Sequence, residues 1–306
     1  MRTDALQTSE ARAQALRRAL IFLAALAAAI VVGTLLLLPV LDALAPGLLA
    51  EEDWERAPGW LFATTIWMSL VVLVVADCFV RRDERLSWRS LFPPQRAGAD
   101  LLLGAVFALA PLLAFAGIHG ALGWLVPAPA TGAGSLTRLP PEPVGVAAPA
   151  LLVAVMLPVI AVQSAAEEVV CRGYLLHQLR IWRGAWPALI LTSLLFGVLH
   201  GLNPAVTGLA LAGTAVVGLM MGLLVFWRSL WAAVGYHCAW NFALAALLGQ
   251  PVSGLRLPSW FPTRATGPEL WTGGEFGPEG GLTVLGLSAL EVLLVWAVLA
   301  RRRGGG

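Results

Sequence analysis

Residues 19–41 read ALIFLAALAAAIVVGTLLLLPVL, a stretch of about 23 residues without a charged side chain. A helix rises about 1.5 Å per residue, so this stretch is about 35 Å long and can cross the roughly 30 Å hydrocarbon core of a bilayer. The apolar part of a secretory signal peptide is shorter, about 7–15 residues. The stretch therefore predicts a membrane span rather than a signal peptide.

Seven further apolar stretches follow the first one along the chain. They cover residues 60–80, 101–126, 146–175, 186–201, 204–227, 230–249 and 281–300. Of the 306 residues, 58% are hydrophobic and 12% are charged, whereas a soluble globular domain carries about 25% charged residues. The composition excludes both an ordinary soluble domain and a disordered chain. We predict an all-α, polytopic membrane helix bundle of about eight transmembrane helices.

The arginines indicate how the bundle is oriented. The chain has 20 basic residues, all of them Arg. With a cytoplasmic N-terminus, 15 of them fall in cytoplasmic segments, four fall in outer segments and Arg172 falls within a span. Cytoplasmic loops carry an excess of Lys and Arg, so we predict that both termini are cytoplasmic. We expect an integral protein of the bacterial cytoplasmic membrane, in contact with the lipid bilayer. No basic stretch interleaved with aromatic residues indicates nucleic-acid binding.

Ionisable residues within apolar stretches are the first candidates for function, because a charge at the bilayer centre costs about 2.5–3.5 kcal/mol on insertion scales. In the fourth stretch, Glu168 and Arg172 are spaced i,i+4 and are expected to pair. Glu167 projects about 100° away from Glu168, which leaves it free to face a cavity. His119 and Glu291 also lie in apolar stretches, but no pattern indicates their role.

The other candidates lie in the fifth and seventh stretches. His200 ends the fifth stretch, and His237 and Asn241 share one helical face in the seventh. A Glu, two His and an Asn around one water-filled cavity suit hydrolysis of a peptide bond. The carboxylate can act as a general base, the imidazoles can hold the water or a divalent metal such as zinc, and the amide can donate to an oxyanion.

Three motifs in this order resemble those of the CPBP intramembrane proteases, which include the type II CAAX prenyl endopeptidases and bacteriocin-processing, Abi-like relatives. They are Glu167-Glu168-x-x-x-Arg172, Phe196-x-x-x-His200 and His237-x-x-x-Asn241. The resemblance covers residues 146–249. It implies that Glu167 is the general base, that His200 and His237 orient water or bind a metal, and that Asn241 stabilises the oxyanion. Glu168 and Arg172 would support the site.

The resemblance divides one membrane domain into three parts. Residues 1–145 carry three spans and their loops, residues 146–249 form a catalytic core of four spans, and residues 250–306 form an outer loop and the last span. The expected partner is a protein or peptide substrate in the membrane. The main alternative is a non-catalytic peptide-binding or immunity protein that uses the same cavity; four scattered histidines fit a haem protein poorly.

Depth counting predicts a difficulty for the site. If the fourth span ends near Tyr174, Glu167 lies about 10 Å from the cytoplasmic face. His237 comes out at about 10–15 Å and His200 at about 20 Å. Tilt, a kink or a re-entrant segment must bring these residues level if they form one site.

Overall fold

The computed structural model describes residues 2–44, 58–128, 147–257 and 259–304, and these are almost entirely helical. Seven helices in these ranges are long and apolar enough to cross a membrane. They are Ser9–Ala43, Phe62–Arg82, Trp88–Ala121, Ala154–Arg183, Ala185–Leu202, Gly208–Trp227 and Leu282–Arg301. The predicted all-α, polytopic membrane bundle is confirmed, and the chain is an integral multi-pass membrane protein.

The helices and strands are numbered here in chain order. The helices are α1 (Arg2–Leu44), α2 (Pro58–Arg82), α3 (Trp88–Leu91), α4 (Ala97–Ala121), α5 (Ala147–Glu168), α6 (Leu176–Arg183), α7 (Ala185–Leu199), α8 (Gly208–Trp227), α9 (Leu230–Phe242), α10 (Glu269–Thr272) and α11 (Leu282–Gly304). The π-helical segments Val169–Leu175 and Ala243–Leu247 follow α5 and α9. Two antiparallel strands, β1 (Leu125–Pro127) and β2 (Thr263–Ala265), pair with Val126 opposite Arg264.

The predicted stretch 230–249 forms the most buried helix of the bundle rather than one of the seven candidate spans. It is helical from Leu230 to Leu247, and α4, α5 and α8 pack against it. Because it carries Tyr236, His237 and Asn241 among its apolar residues, it is less apolar than the seven candidate spans. These polar side chains are buried inside the protein rather than facing lipid.

Two glycines let α4 and α9 approach at backbone distance. A Cβ atom on Gly104 would lie 2.0 Å from the carbonyl oxygen of Ala232, and one on Gly235 would lie 2.3 Å from that of Leu101. Small residues at helix contacts allow such approach in membrane proteins. The contact fixes the position of α9, which carries two of the predicted site residues.

The structure describes the two predicted outer loops to different extents. The proline-rich loop 127–145 lies mostly outside the described residues. The loop 250–280 contains only β2, α10 and the short 3₁₀ turn Pro278–Gly280 among its described residues, which agrees with its predicted irregularity.

Candidate active site

The two adjacent carboxylates of α5 lie at the point where the α-helix becomes π-helical. Single π turns within helices are frequent at functional sites. Glu168 Oε1 accepts a hydrogen bond from Arg172 Nη1 at 2.9 Å, and both side chains are fully buried. The structure therefore contains the i,i+4 pair that the spacing predicts.

Arg172 is held from two further directions. Its Nη2 donates to the carbonyl oxygen of Gly218 at 2.9 Å, and its guanidinium lies 4.2 Å from the centre of the Phe196 ring. A Cβ atom on Gly218 would come within 2.7 Å of Nη2, so a larger residue there would force the guanidinium to move. Arg172 thus joins α8 and α7 to the π-helical turn after α5.

His237 bridges the two carboxylates. Its Nδ1 lies 3.0 Å from Glu168 Oε1, and its Nε2 lies 3.8 Å from Glu167 Oε2. A carboxylate accepts hydrogen bonds, so Nδ1 carries a hydrogen; when the ring is neutral, Nε2 is then its acceptor nitrogen. The 3.8 Å gap is too long for a direct hydrogen bond.

Glu167 faces a cavity, as the sequence predicts. Gln163 Nε2 donates to Glu167 Oε1, whereas Oε2 has no hydrogen-bond partner among the described residues. Asn241 Nδ2 donates to Gln163 Oε1 at 3.3 Å. Gln163 is a site residue that the sequence analysis missed, although it lies one helical turn before Glu167 and shares its face.

His200 joins the same site through Phe196. Its Nδ1 donates to the carbonyl oxygen of Phe196 at 2.7 Å, so in the neutral ring its Nε2 is an acceptor. The Phe196 ring centre lies 4.7 Å from that of His200 and 5.7 Å from that of His237. The first and last residues of the Phe196-x-x-x-His200 motif are therefore both in the site.

One cavity of about 510 Å³ is lined by all four residues proposed from the sequence for catalysis. Its wall also includes residues of α1 and α2, such as Leu26, Phe62 and Met68, and residues of the outer loops, such as Ser253 and Glu279. Depth counting predicted that Glu167, His237 and His200 lie at different levels, but all three line this one cavity. Helical structure continues through the π turn and α6 to Arg183 instead of ending near Tyr174.

The two unassigned ionisable residues lie apart from this cavity. Tyr236 donates to Glu291 Oε2 at 3.2 Å, and His119 Nε2 lies 2.9 Å from Thr283 Oγ1. Both contacts join α11 to a neighbouring helix. Neither residue lines the cavity that contains Glu167.

Fold and site together define a polytopic helical membrane protein with a cavity in its bundle, whose mainly apolar wall carries a few polar side chains. Residues 149–243 match a protein-family model described as type II CAAX prenyl endopeptidase Rce1-like. This match confirms the resemblance to the CPBP proteases and covers a little under a third of the chain. Comparison with curated proteins and with solved structures gave no match. At the level of the family, the match supports a membrane protease that acts on a peptide substrate.

Proposed function

We propose that this protein is an intramembrane endopeptidase that hydrolyses a peptide bond of a membrane-associated protein or peptide, with water activated by Glu167. One observation carries the proposal: the unpartnered Glu167 Oε2 and the acceptor Nε2 of His237 face each other across 3.8 Å in a cavity. Two acceptors at this separation can each take one hydrogen of the same water.

The reaction needs only groups that line the cavity. Glu167 takes a proton from the water while His237 holds the second hydrogen, and the water oxygen bonds to the scissile carbonyl carbon. One Nδ2 hydrogen of Asn241 bonds to Gln163, and the other is available to the oxyanion. When the C–N bond breaks, Glu167 returns its proton to the leaving amine. His200 adds a second acceptor nitrogen that keeps water in place.

The buried residues behind the cavity give this water its position. Glu168 orients His237 through Nδ1, and Arg172 balances the charge of Glu168. A histidine whose second nitrogen is held by a carboxylate has a fixed tautomer and ring orientation. Glu168 and Arg172 are therefore positioning residues, while Glu167 and His237 act on the water.

A metal-dependent reaction would use Glu167, His200 and His237 as ligands. Two ligands of a tetrahedral zinc ion lie roughly 3.4 Å apart, and the 3.8 Å between Glu167 Oε2 and His237 Nε2 is wider. Among the described residues, no three His, Cys, Asp or Glu side chains are grouped closely enough to hold a metal ion. We assign no step to a metal, and chelation tests this assignment.

A complementation experiment tests the proposal. Membrane peptides are compared by mass spectrometry in a deletion strain that carries the wild type, Glu167→Gln or the exposed control Glu84→Gln. We expect one substrate to accumulate uncut with the empty vector and with Glu167→Gln, but not with Glu84→Gln. Full function of Glu167→Gln at a normal membrane level would contradict the protease and favour the peptide-binding or immunity protein. A bacterial cytoplasmic-membrane location is part of the proposal, and fractionation tests it.

A further inference from the structure

A second carboxylate lines the wall of the cavity. Glu279 lies in the 3₁₀ turn Pro278–Gly280, in the segment just before α11, and its side chain is buried. It lies outside the residues 149–243 that match the protease family. Sequence analysis missed it because the surrounding glycines and prolines show no periodicity.

Glu279 is held rigidly on both sides. Its Oε1 accepts from Trp240 Nε1 at 2.9 Å, and its Oε2 accepts from the backbone N–H and the hydroxyl of Ser253 at 2.6 and 2.7 Å. Its backbone abuts α8, where a Cβ atom on Gly213 would lie 2.1 Å from the Glu279 carbonyl oxygen. Trp240 precedes Asn241 on α9, so the carboxylate is attached to the helix that carries the proposed site.

The charge of this group is not matched by a cation. Glu168 has Arg172, whereas Glu279 forms no ion pair with any described residue. The chain contains no lysine, and no arginine is among the residues that line the cavity. The three donors to Glu279 are neutral, so they orient its carboxylate without cancelling its charge.

The cavity therefore presents two carboxylates, Glu167 and Glu279, within apolar walls. Low-dielectric walls strengthen the attraction of such groups for a cation. A buried charge without a compensating cation is costly, and such charges are usually paired. Because no arginine lines this cavity, a positively charged group on a bound peptide is able to pair with Glu279 there.

We propose that Glu279 forms a specificity subsite for a positively charged group of the substrate, either a basic side chain or a free α-amino group. The inference rests on the proposed function, in that it takes the cavity as the substrate site. It defines the substrate class more narrowly: an apolar peptide with one cation near the bond to be cut.

Binding can be tested separately from cleavage in the Glu167→Gln background. The probes are fluorescent Ala/Leu peptides in which a single Arg is moved along the chain, each paired with a peptide that carries neutral, nearly isosteric citrulline. A further pair compares a free N-terminus with an acetylated one, which distinguishes the two sources of charge. The proteins, reconstituted in lipid nanodiscs, are Glu167→Gln alone and combined with Glu279→Gln or Ser253→Ala.

We expect one cationic peptide to bind about tenfold more tightly than its neutral pair, equivalent to about 1.4 kcal/mol. Adding Glu279→Gln should bring the ratio close to one. Ser253→Ala removes a hydrogen bond but keeps the charge, so the preference should survive it. Equal binding of every pair, or a preference that persists without the Glu279 charge, would overturn the subsite.

Wild-type protein with the same peptides separates the two proposals. A charge preference that depends on Glu279, without any cleavage, would refute the protease and leave the subsite standing. Cleavage abolished by Glu167→Gln, with equal binding of charged and neutral peptides, would support the protease and refute the subsite.

Discussion

The Nε2 atom of His237 lies 3.8 Å from the Oε2 atom of Glu167. The opposite nitrogen of the same ring contacts Glu168, which is itself paired with Arg172. Two adjacent carboxylates on one helix therefore have different surroundings: Glu168 is fully buried and paired, while Glu167 is partly exposed to the cavity. This difference separates a residue that positions the imidazole from one that can accept a proton.

Glu167→Gln should abolish hydrolysis without loss of folded protein. General-base catalysis typically contributes a factor of about 10²–10⁴, and the amide cannot take the proton. The measurement is the cleavage rate of the identified substrate by purified protein, with thermal unfolding as the check on folding. Glu84→Gln, a change of the same kind on an exposed residue, should leave the rate unchanged. A Glu167→Gln rate within a factor of about three of the wild type would remove Glu167 from the mechanism.

Breaking the buried ion pair should destabilise the protein strongly. Arg172→Met leaves Glu168 uncompensated in a buried position, and loss of one partner of such a pair typically costs about 3–5 kcal/mol. The double variant Glu168→Gln, Arg172→Met removes both charges and should recover part of this loss. Unfolding of all variants in one detergent gives the comparison. If the double variant is no more stable than Arg172→Met, an uncompensated charge on Glu168 is not the cause of the destabilisation.

Two glycines on α4 should respond differently to alanine. Gly104→Ala places a Cβ atom 2.0 Å from the carbonyl oxygen of Ala232, and such overpacking typically costs about 1–3 kcal/mol. At Gly117 a Cβ atom would meet nothing within 4 Å, so Gly117→Ala should be neutral or gain up to about 1 kcal/mol of helix stability. Thermal unfolding of both variants tests the α4–α9 contact. Equal effects would show that the helices are not in backbone contact at Gly104.

Chelation should leave hydrolysis intact. The proposed mechanism uses Glu167 and His237 directly on water, without a metal. Cleavage is measured before and after exhaustive treatment with a strong zinc chelator, followed by metal analysis of the protein. Loss of activity that is restored by added zinc would show that Glu167, His200 and His237 close around a metal ion, and it would replace the proposed role of Glu167 as the base.

Local helical geometry was enough to predict some features of the site, whereas others depend on how distant parts of the chain pack together. A 100° step separates Glu167 from Glu168, and a spacing of four residues places His237 and Asn241 on one face; both inferences need only local structure. The position of His200 relative to Glu167 depends on where α5 and its continuation end, and the π turn and α6 lengthen that stretch beyond the expected boundary. Glu279 approaches through loop packing, which leaves no periodic signal in the sequence.

The stability of the protein should be sensitive to acid in a way that depends on Asp83. This carboxylate follows α2 and is buried. Burial alone would raise the pKa of Asp83, but the backbone N–H of Arg85, the amide of Gln178 and the nearby Arg18 together hold it below its usual value. A carboxyl whose pKa is lower in the folded state stabilises that state above the pKa of the unfolded chain, about 3.9 for Asp, and the contribution disappears as the pH falls through the folded value.

Asp83→Asn should therefore lower the unfolding temperature at about pH 5 to 7, and the difference from the wild type should shrink below about pH 4. Thermal unfolding in detergent between about pH 3 and 7 measures both proteins. Asp42→Asn, at the far end of α1, serves as a control with the same change of charge and should show no comparable pH-dependent difference. Asp83 joins the loop after α2 to α1 and α6 through Arg18 and Gln178. A difference that stays constant down to about pH 3 would therefore mean that packing, and not the charge of Asp83, holds these helices together.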